Sequence, residues 1–202
     1  MLTIIIITIS FFCGSLPFSV WLGKLFLRLD VRKFGDGNPG AANVFRAGNK
    51  LVGVLALMLD VSKAAVPVGL AYFNMGIRGL PMFLIAIAPI LGHVLSPFLH
   101  FRGGKAIAAT LGVWIGLTVW KASLAGVIGA VIGIALFTPS GWSVMLALIC
   151  ILMTLLLWMP APLLLFIWVG VTLILVWTHR ADLRQRPRLR SWLTKRLSRT
   201  RD

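Results

Sequence analysis

Four polar segments interrupt an otherwise apolar chain, and each carries residues suited to a phosphorylated molecule. The first runs from Arg28 to Arg46 and contains Gly35-Asp36-Gly37-Asn38-Pro39-Gly40-Ala41-Ala42-Asn43. Gly35, Gly37 and Gly40 free backbone N–H groups to close on an anion, and Asn38 and Asn43 add amide donors. Arg46 ends the segment with a bidentate fork that fits phosphate. The alternative reading is a plain connector with turns. In the second segment, Leu59-Asp60-Val61-Ser62-Lys63, Asp60 and Lys63 share one helix face at i,i+3. A charge inside a bilayer costs ~2.5–3.5 kcal/mol on insertion scales, so the two are expected to pair or to reach a polar cavity. Such a pair could organise a site or only fix the helix. The third segment runs from Gly92-His93 to Arg102-Gly103-Gly104-Lys105 and leads into an apolar helix, as a phosphate cradle at a helix N-terminus would. It lacks the full Walker spacing, which disfavours nucleotide hydrolysis. His93 reads either as a satisfied core histidine or as a reactive one. The fourth, Thr178-His179-Arg180-Ala181-Asp182, closes the last apolar stretch, where a histidine can be an interfacial anchor or part of a site.

The elements that must position these groups are membrane helices. The chain is 59% hydrophobic and 12% charged, outside the range of soluble domains. Its 20 Lys+Arg against 5 Asp+Glu give a formal net charge of +15. With such long apolar runs, anionic lipid and an anionic substrate explain that charge better than nucleic acid does. A bilayer core takes ~20 apolar residues per helix. Spans are expected at Met1–Gly23, Leu51–Phe73, Leu80–Leu99 and from Lys105 to near Trp120, the last of these short. Residues 122–179 contain no Asp, Glu, Lys or Arg, and the breakers Thr138-Pro139-Ser140-Gly141 and Trp158-Met159-Pro160-Ala161-Pro162 divide them into three more. Several tryptophans fall near the proposed ends, as an aromatic belt would put them. The expectation is an all-α polytopic bundle of seven transmembrane helices. Nearly all the cations then gather on one side, giving an outside N-terminus and a cytoplasmic C-terminus by the positive-inside rule. Both glycine-rich loops and the tail land on that cytoplasmic face.

Smaller signals fit this plan. The opening segment has no basic n-region or small-residue cleavage pattern, so it is expected to be a retained helix. Cys13 and Cys150 lie in apolar stretches and read as buried reduced thiols. Gly126, Gly129, Ala130 and Gly133 permit close helix approach, expected within one bundle of a monomer. Residues 1–179 form the expected transmembrane domain. Residues 180–202 form a basic tail, with Leu189, Trp192, Leu193 and Leu197 on one stripe of an expected interfacial helix. No long-period repeat supports an inverted-repeat transporter.

Together the four segments resemble the bacterial acyl-phosphate:glycerol-3-phosphate acyltransferases, the PlsY family, from Gly14-Ser15-Leu16-Pro17 to about Arg186. The resemblance implies a seven-helix enzyme of the bacterial inner membrane, without cofactor or metal. It would transfer an acyl group from acyl phosphate to the 1-hydroxyl of glycerol 3-phosphate, giving lysophosphatidic acid and phosphate. It assigns phosphate contacts to Asn38, Asn43, Arg46, Lys105 and His179, with Gly35, Gly37, Gly40, Gly103 and Gly104 shaping the loops. Asp60 and Lys63 fall on the family's second motif, and His93 on its third. The chain departs from the pattern in having Asp36 for serine, Asp182 for asparagine, Ala64 and Ala106 for glycines, Ser96 for proline and Gln185 for arginine.

An acyl phosphate is already activated, so its leaving phosphate needs charge stabilisation more than protonation, and positioning can supply most of the rate. Arg46, Lys105 and His179 are expected to hold the glycerol phosphate while loop amides neutralise the donor. The attacking hydroxyl would give its proton to a substrate phosphate or to His179. A transporter of a small phosphorylated anion would use the same basic loops, with Asp60 and Lys63 lining a pathway. An inactive scaffolding relative is the third reading, supported only by Asp36 and Asp182.

Overall fold

Breakers, rather than hydropathy, set the helix lengths. The structure is a computed structural model that describes residues 1–192. It divides into two compact units, Met1–Trp120 and a second that begins at Lys121. In the first, α1 (Leu2–Ser15) and α2 (Phe18–Leu27) are one apolar stretch broken at Leu16-Pro17. Proline forces the preceding residue out of the α region, and Leu16 is extended (φ −61°, ψ 120°). After a single 3-10 turn at Val31–Lys33, α3 (Ala41–Arg46) closes the glycine-rich loop. The Asn49 side chain caps α4 (Lys50–Gly69) by accepting from the Val52 amide at 3.0 Å. A π-helical turn, Leu70–Asn74, extends α4; α5 (Gly79–Val94), a 3-10 turn (Pro97–Leu99) and α6 (Ile107–Thr118) complete the unit.

The second unit holds α7 (Lys121–Leu136), α8 (Gly141–Trp158), α9 (Pro162–Thr178) and the short α10 (Arg180–Leu183). The boundaries between α7, α8 and α9 fall at the breakers read from the sequence. β1 (Phe137–Thr138) pairs antiparallel with β2 (Arg188–Leu189), Phe137 opposite Leu189 and Thr138 opposite Arg188. That pairing, with Trp142 Nε1 donating to the Gln185 carbonyl and Trp192 Nε1 to that of Ala135, ties the start of the basic tail to the α7–α8 connection. Residues 193–202 lie outside the described residues, and with them Leu193 and Leu197 of the expected interfacial helix.

An all-α polytopic membrane bundle is observed, but the count of seven spans is corrected. Among the described residues four helices are long and apolar enough to cross: Leu2–Leu27, Lys50–Asn74, Gly79–Leu99 and Gly141–Trp158. The other three apolar helices, Ile107–Thr118, Lys121–Leu136 and Pro162–Thr178, fall below that length. At 1.5 Å per residue they reach only about 18–26 Å, against ~30 Å of hydrocarbon. The apolar runs are as long as expected, but left-handed residues cut α6 at both ends, Ala106 (φ 63°) before it and Val119 (φ 59°) after it. The orientation argued from an odd number of crossings, N-terminus outside and C-terminus cytoplasmic, loses its basis with that count.

Small residues bring helix backbones together in both units. A Cβ on Gly92 of α5 would strike the Phe11 carbonyl of α1, and one on Gly14 would strike the backbone of Pro89. In the second unit Gly126, Gly129 and Gly133 of α7 face Ile151, Ala147 and Ser143 of α8, so the small-residue stripe packs within the chain. The glycine-rich loop rests on an apolar cluster of Val20, Leu22, Val31, Ala41, Val44, Val52, Ala56 and Leu99. Gly92→Val is expected to force α1 from α5 at about 1–3 kcal/mol, a typical overpacking cost, and lower the thermal midpoint in detergent micelles. A matched exposed change, Phe73→Val, should not.

Candidate active site

The two glycine-rich segments meet in the first unit. The Lys105 amide donates to Asn38 Oδ1 at 3.0 Å, although 67 positions separate them. On the Lys105 side, Gly103 and Gly104 donate their amides to the carbonyls of Val94 and His93, folding the segment back onto the end of α5. There is no room for a side chain here: a Cβ on Gly104 would strike His93 Nε2 and come within 3.1 Å of Asn38 Oδ1. The His93 ring therefore forms a wall of the cradle from a nearly buried position. On the other side, Gly35 is left-handed (φ 57°), and a Cβ there would strike Arg46 Nη1 and Asn43 Oδ1.

A chain of hydrogen bonds orients the cations. Arg46 Nη1 donates to Asn43 Oδ1 at 2.7 Å, and Asn43 Nδ2 donates to the Asn38 carbonyl at 2.9 Å. Asn43 is buried; the Arg46 side chain is 55% exposed and presents its remaining donors outward. Asp36 lies among these groups. Its Oδ2 is 3.1 Å from Lys105 Nζ, and its Oδ1 is 3.7 Å from Arg46 Nη1. Asp36 Oδ1 also accepts from Asn43 Nδ2 at 3.2 Å and from the Asn38 amide at 3.3 Å. Partial burial works to raise the Asp36 carboxyl; the Lys105 ammonium, the Asn38 amide and Asn43 outweigh it and hold the carboxyl below its ordinary value. Upstream, Asp30 accepts from Arg32 Nη2 at 2.7 Å and from the Arg32 amide at 3.0 Å. Chiefly through the side-chain bond, the Asp30 carboxyl is lowered from 3.8 to about 2.

Asp60 and Lys63 are placed at the helix break. Lys63 Nζ donates to Asp60 Oδ1 and to the Leu16 carbonyl, both at 2.7 Å, and Ser19 Oγ donates to Asp60 Oδ2 at 2.6 Å. Only 2% of either charged side chain is exposed. The pair thus satisfies a carbonyl freed by Pro17 and pins α2 to α4, a role that i,i+3 spacing suggested without naming its partners. Ser96 does similar work: its Oγ donates to the Ser15 carbonyl at 2.6 Å. Sequence reasoning missed Ser19, whose only signal was its place just beyond a proline in an apolar span.

His179 and Asp182 belong to the second unit. His179 is buried, with Nδ1 2.9 Å from the Leu175 carbonyl and 3.2 Å from Thr178 Oγ1. Asp182 Oδ2 accepts from Ser140 Oγ at 3.3 Å, and its Cβ packs where Gly141 has no side chain. Departures from the family pattern acquire local reasons. Asp36 is matched by cations, Ser96 caps a helix end, and Ala64 is buried opposite Gly112 of α6. Nothing in the structure explains Ala106, an alanine in left-handed backbone.

A family model described as "Glycerol-3-phosphate acyltransferase" matches residues 4–187. The chain belongs to the glycerol-3-phosphate acyltransferase family. The enzyme of that description from Anaeromyxobacter dehalogenans is 43% identical over 130 residues, covering 62% of this chain and 63% of the relative. Glycerol-3-phosphate acyltransferase 1 of Thermotoga maritima is 42% identical over 123 residues, 60% of each chain. The matched region thus spans less than two thirds of the length of these relatives. A crystal structure of PlsY (YgiH), described as an integral membrane glycerol 3-phosphate acyltransferase in its glycerol 3-phosphate form, superposes with a TM-score of 0.82. It is 26% identical, and the match covers 91% of both chains. With its apolar helices, this family member is a multi-pass protein of the inner membrane.

Two outcomes follow from the buried and exposed ion pairs. Asp60→Leu strands the Lys63 ammonium, an expected loss of about 3–5 kcal/mol. The double change Asp60→Leu/Lys63→Met should recover a large part of that loss, measured by thermal unfolding in micelles. Asp30, with its folded pKa lowered, contributes stability that is complete above its unfolded value of 3.8 and is lost as pH falls towards about 2. Asp30→Asn should therefore flatten the acid limb of the unfolding midpoint against pH and leave the neutral region unsloped.

Proposed function

We propose that the protein transfers an acyl group from acyl phosphate to the 1-hydroxyl of glycerol 3-phosphate, releasing lysophosphatidic acid and phosphate. The bond from the Lys105 amide to Asn38 carries this reading, because it joins the two basic glycine-rich loops into one cradle. Family membership supports the same chemistry. Arg46 and Lys105 hold the phosphate of the acceptor, and Asn38 and Asn43 fix the geometry of both cations. The donor is a mixed anhydride, so attack by the hydroxyl breaks the acyl C–O bond to phosphate, and the departing phosphate carries off the electron pair. Electrostatic stabilisation of that oxyanion supplies most of the acceleration. The hydroxyl proton passes to a substrate phosphate.

The placement of Asp60 and Lys63 weighs against transport. A pathway would need them to face a solvated passage, whereas both charges are spent on each other, on Ser19 and on the Leu16 carbonyl.

Purified protein in micelles, given palmitoyl phosphate and labelled glycerol 3-phosphate, should form lysophosphatidic acid. Arg46→Ala and Lys105→Ala should each lower kcat/KM for glycerol 3-phosphate by about 10²-fold or more, the scale set by loss of a charge-assisted contact. No product from the unaltered protein, under conditions where PlsY turns over, would refute the assignment.

A further inference from the structure

The donors assigned to a substrate phosphate already hold an anion that belongs to the chain. Asp36 Oδ2 takes Lys105 Nζ at 3.1 Å, while Asp36 Oδ1 faces Arg46 Nη1 at 3.7 Å and accepts from Asn43 Nδ2 and the Asn38 amide. These are the two cations and two of the amides that a bound phosphomonoester would need. From this geometry we infer that Asp36 is an internal competitor for the phosphate position, a residue that sets the site's affinity for phosphorylated ligands. The inference rests on the proposed acyltransferase reading.

The physics of exchange supports that role. The Asp36 side chain is 44% exposed and lies next to left-handed Gly35 and Gly37, so it can leave the cations without disturbing a packed core. A phosphate dianion brings more charge and more acceptor oxygens than a carboxylate, and so displaces it from Lys105 and Arg46. Once the acyl group has been transferred, the acceptor phosphate, now that of lysophosphatidic acid, still lies among the same cations. The returning carboxylate then helps to expel it. Asp36 thereby weakens both substrate and product phosphate, exchanging affinity for release.

The test is calorimetric titration of glycerol 3-phosphate into the full-length protein in lipid nanodiscs, alongside Asp36→Ser and Asp36→Asn. Asn keeps an Oδ1 acceptor for the Asn38 amide and Asn43 Nδ2 while removing the charge, so it separates competition from loop support. Both variants should bind glycerol 3-phosphate about tenfold tighter, a change of ~1.4 kcal/mol. Inorganic phosphate should inhibit their turnover at correspondingly lower concentration. Tighter binding is an effect that loss of a merely structural carboxylate would not give. If the unaltered protein binds and Asp36→Asn binds equally or more weakly, the competitor role is overturned and the acyltransferase reading stands. If neither binds, and Arg46→Ala matches the unaltered protein, the phosphate site itself falls and the inference with it.

Discussion

The hydrogen bond from the Lys105 amide to the Asn38 side chain, with the Lys105–Asp36 ion pair beside it, joins two loops remote in sequence. Each loop is folded by its own short-range bonds: Asn43 and Arg46 in the first, the Gly103 and Gly104 turn onto α5 in the second. Together they bring Arg46 and Lys105 to opposite oxygens of Asp36. The bond fixes their register, and the glycines at 35 and 104 make it possible by leaving space for Arg46 and His93. The site is thus a contact between turns, seated on the apolar cluster around Val31 and Val44.

Beneath that contact, membrane burial dictates the chemistry of the scaffold. Asp60 and Lys63 would be intolerable singly in an apolar bundle, and a proline break would leave an unanswered carbonyl. The fold offsets one difficulty with the other. Lys63 answers both the acid and the Leu16 carbonyl, and Ser19 takes the remaining carboxylate oxygen. These bonds place α2, and α2 leads directly into the glycine-rich loop.

Much of this was legible from residue types. The helical membrane class followed from composition, the division of the second unit from Thr138–Gly141 and Trp158–Pro162, and the grouping of Asn38, Asn43, Arg46 and Lys105 from glycine-rich motifs. The span count was not legible, because hydropathy registers apolar length and not where the backbone turns left-handed, as it does at Ala106 and Val119. The break within the first span was visible as Pro17 but read as part of a continuous helix. At Asp36 a sequence shows the charge and not the two cations that face it. His179 and Asp182 share the second unit, where α10 and the β1–β2 pair hold them beside the start of α8.

The discontinuity at Leu16-Pro17 carries a mechanical implication. Exposed carbonyls at a kink ordinarily let a helix flex, since nothing resists their reorientation. Here Ser96 and Lys63, arriving from separate elements, fasten the Ser15 and Leu16 carbonyls in place. The elbow is welded. Substitutions in the loop beyond it, a serine exchanged for an aspartate among them, can alter what is bound without altering the platform on which binding occurs.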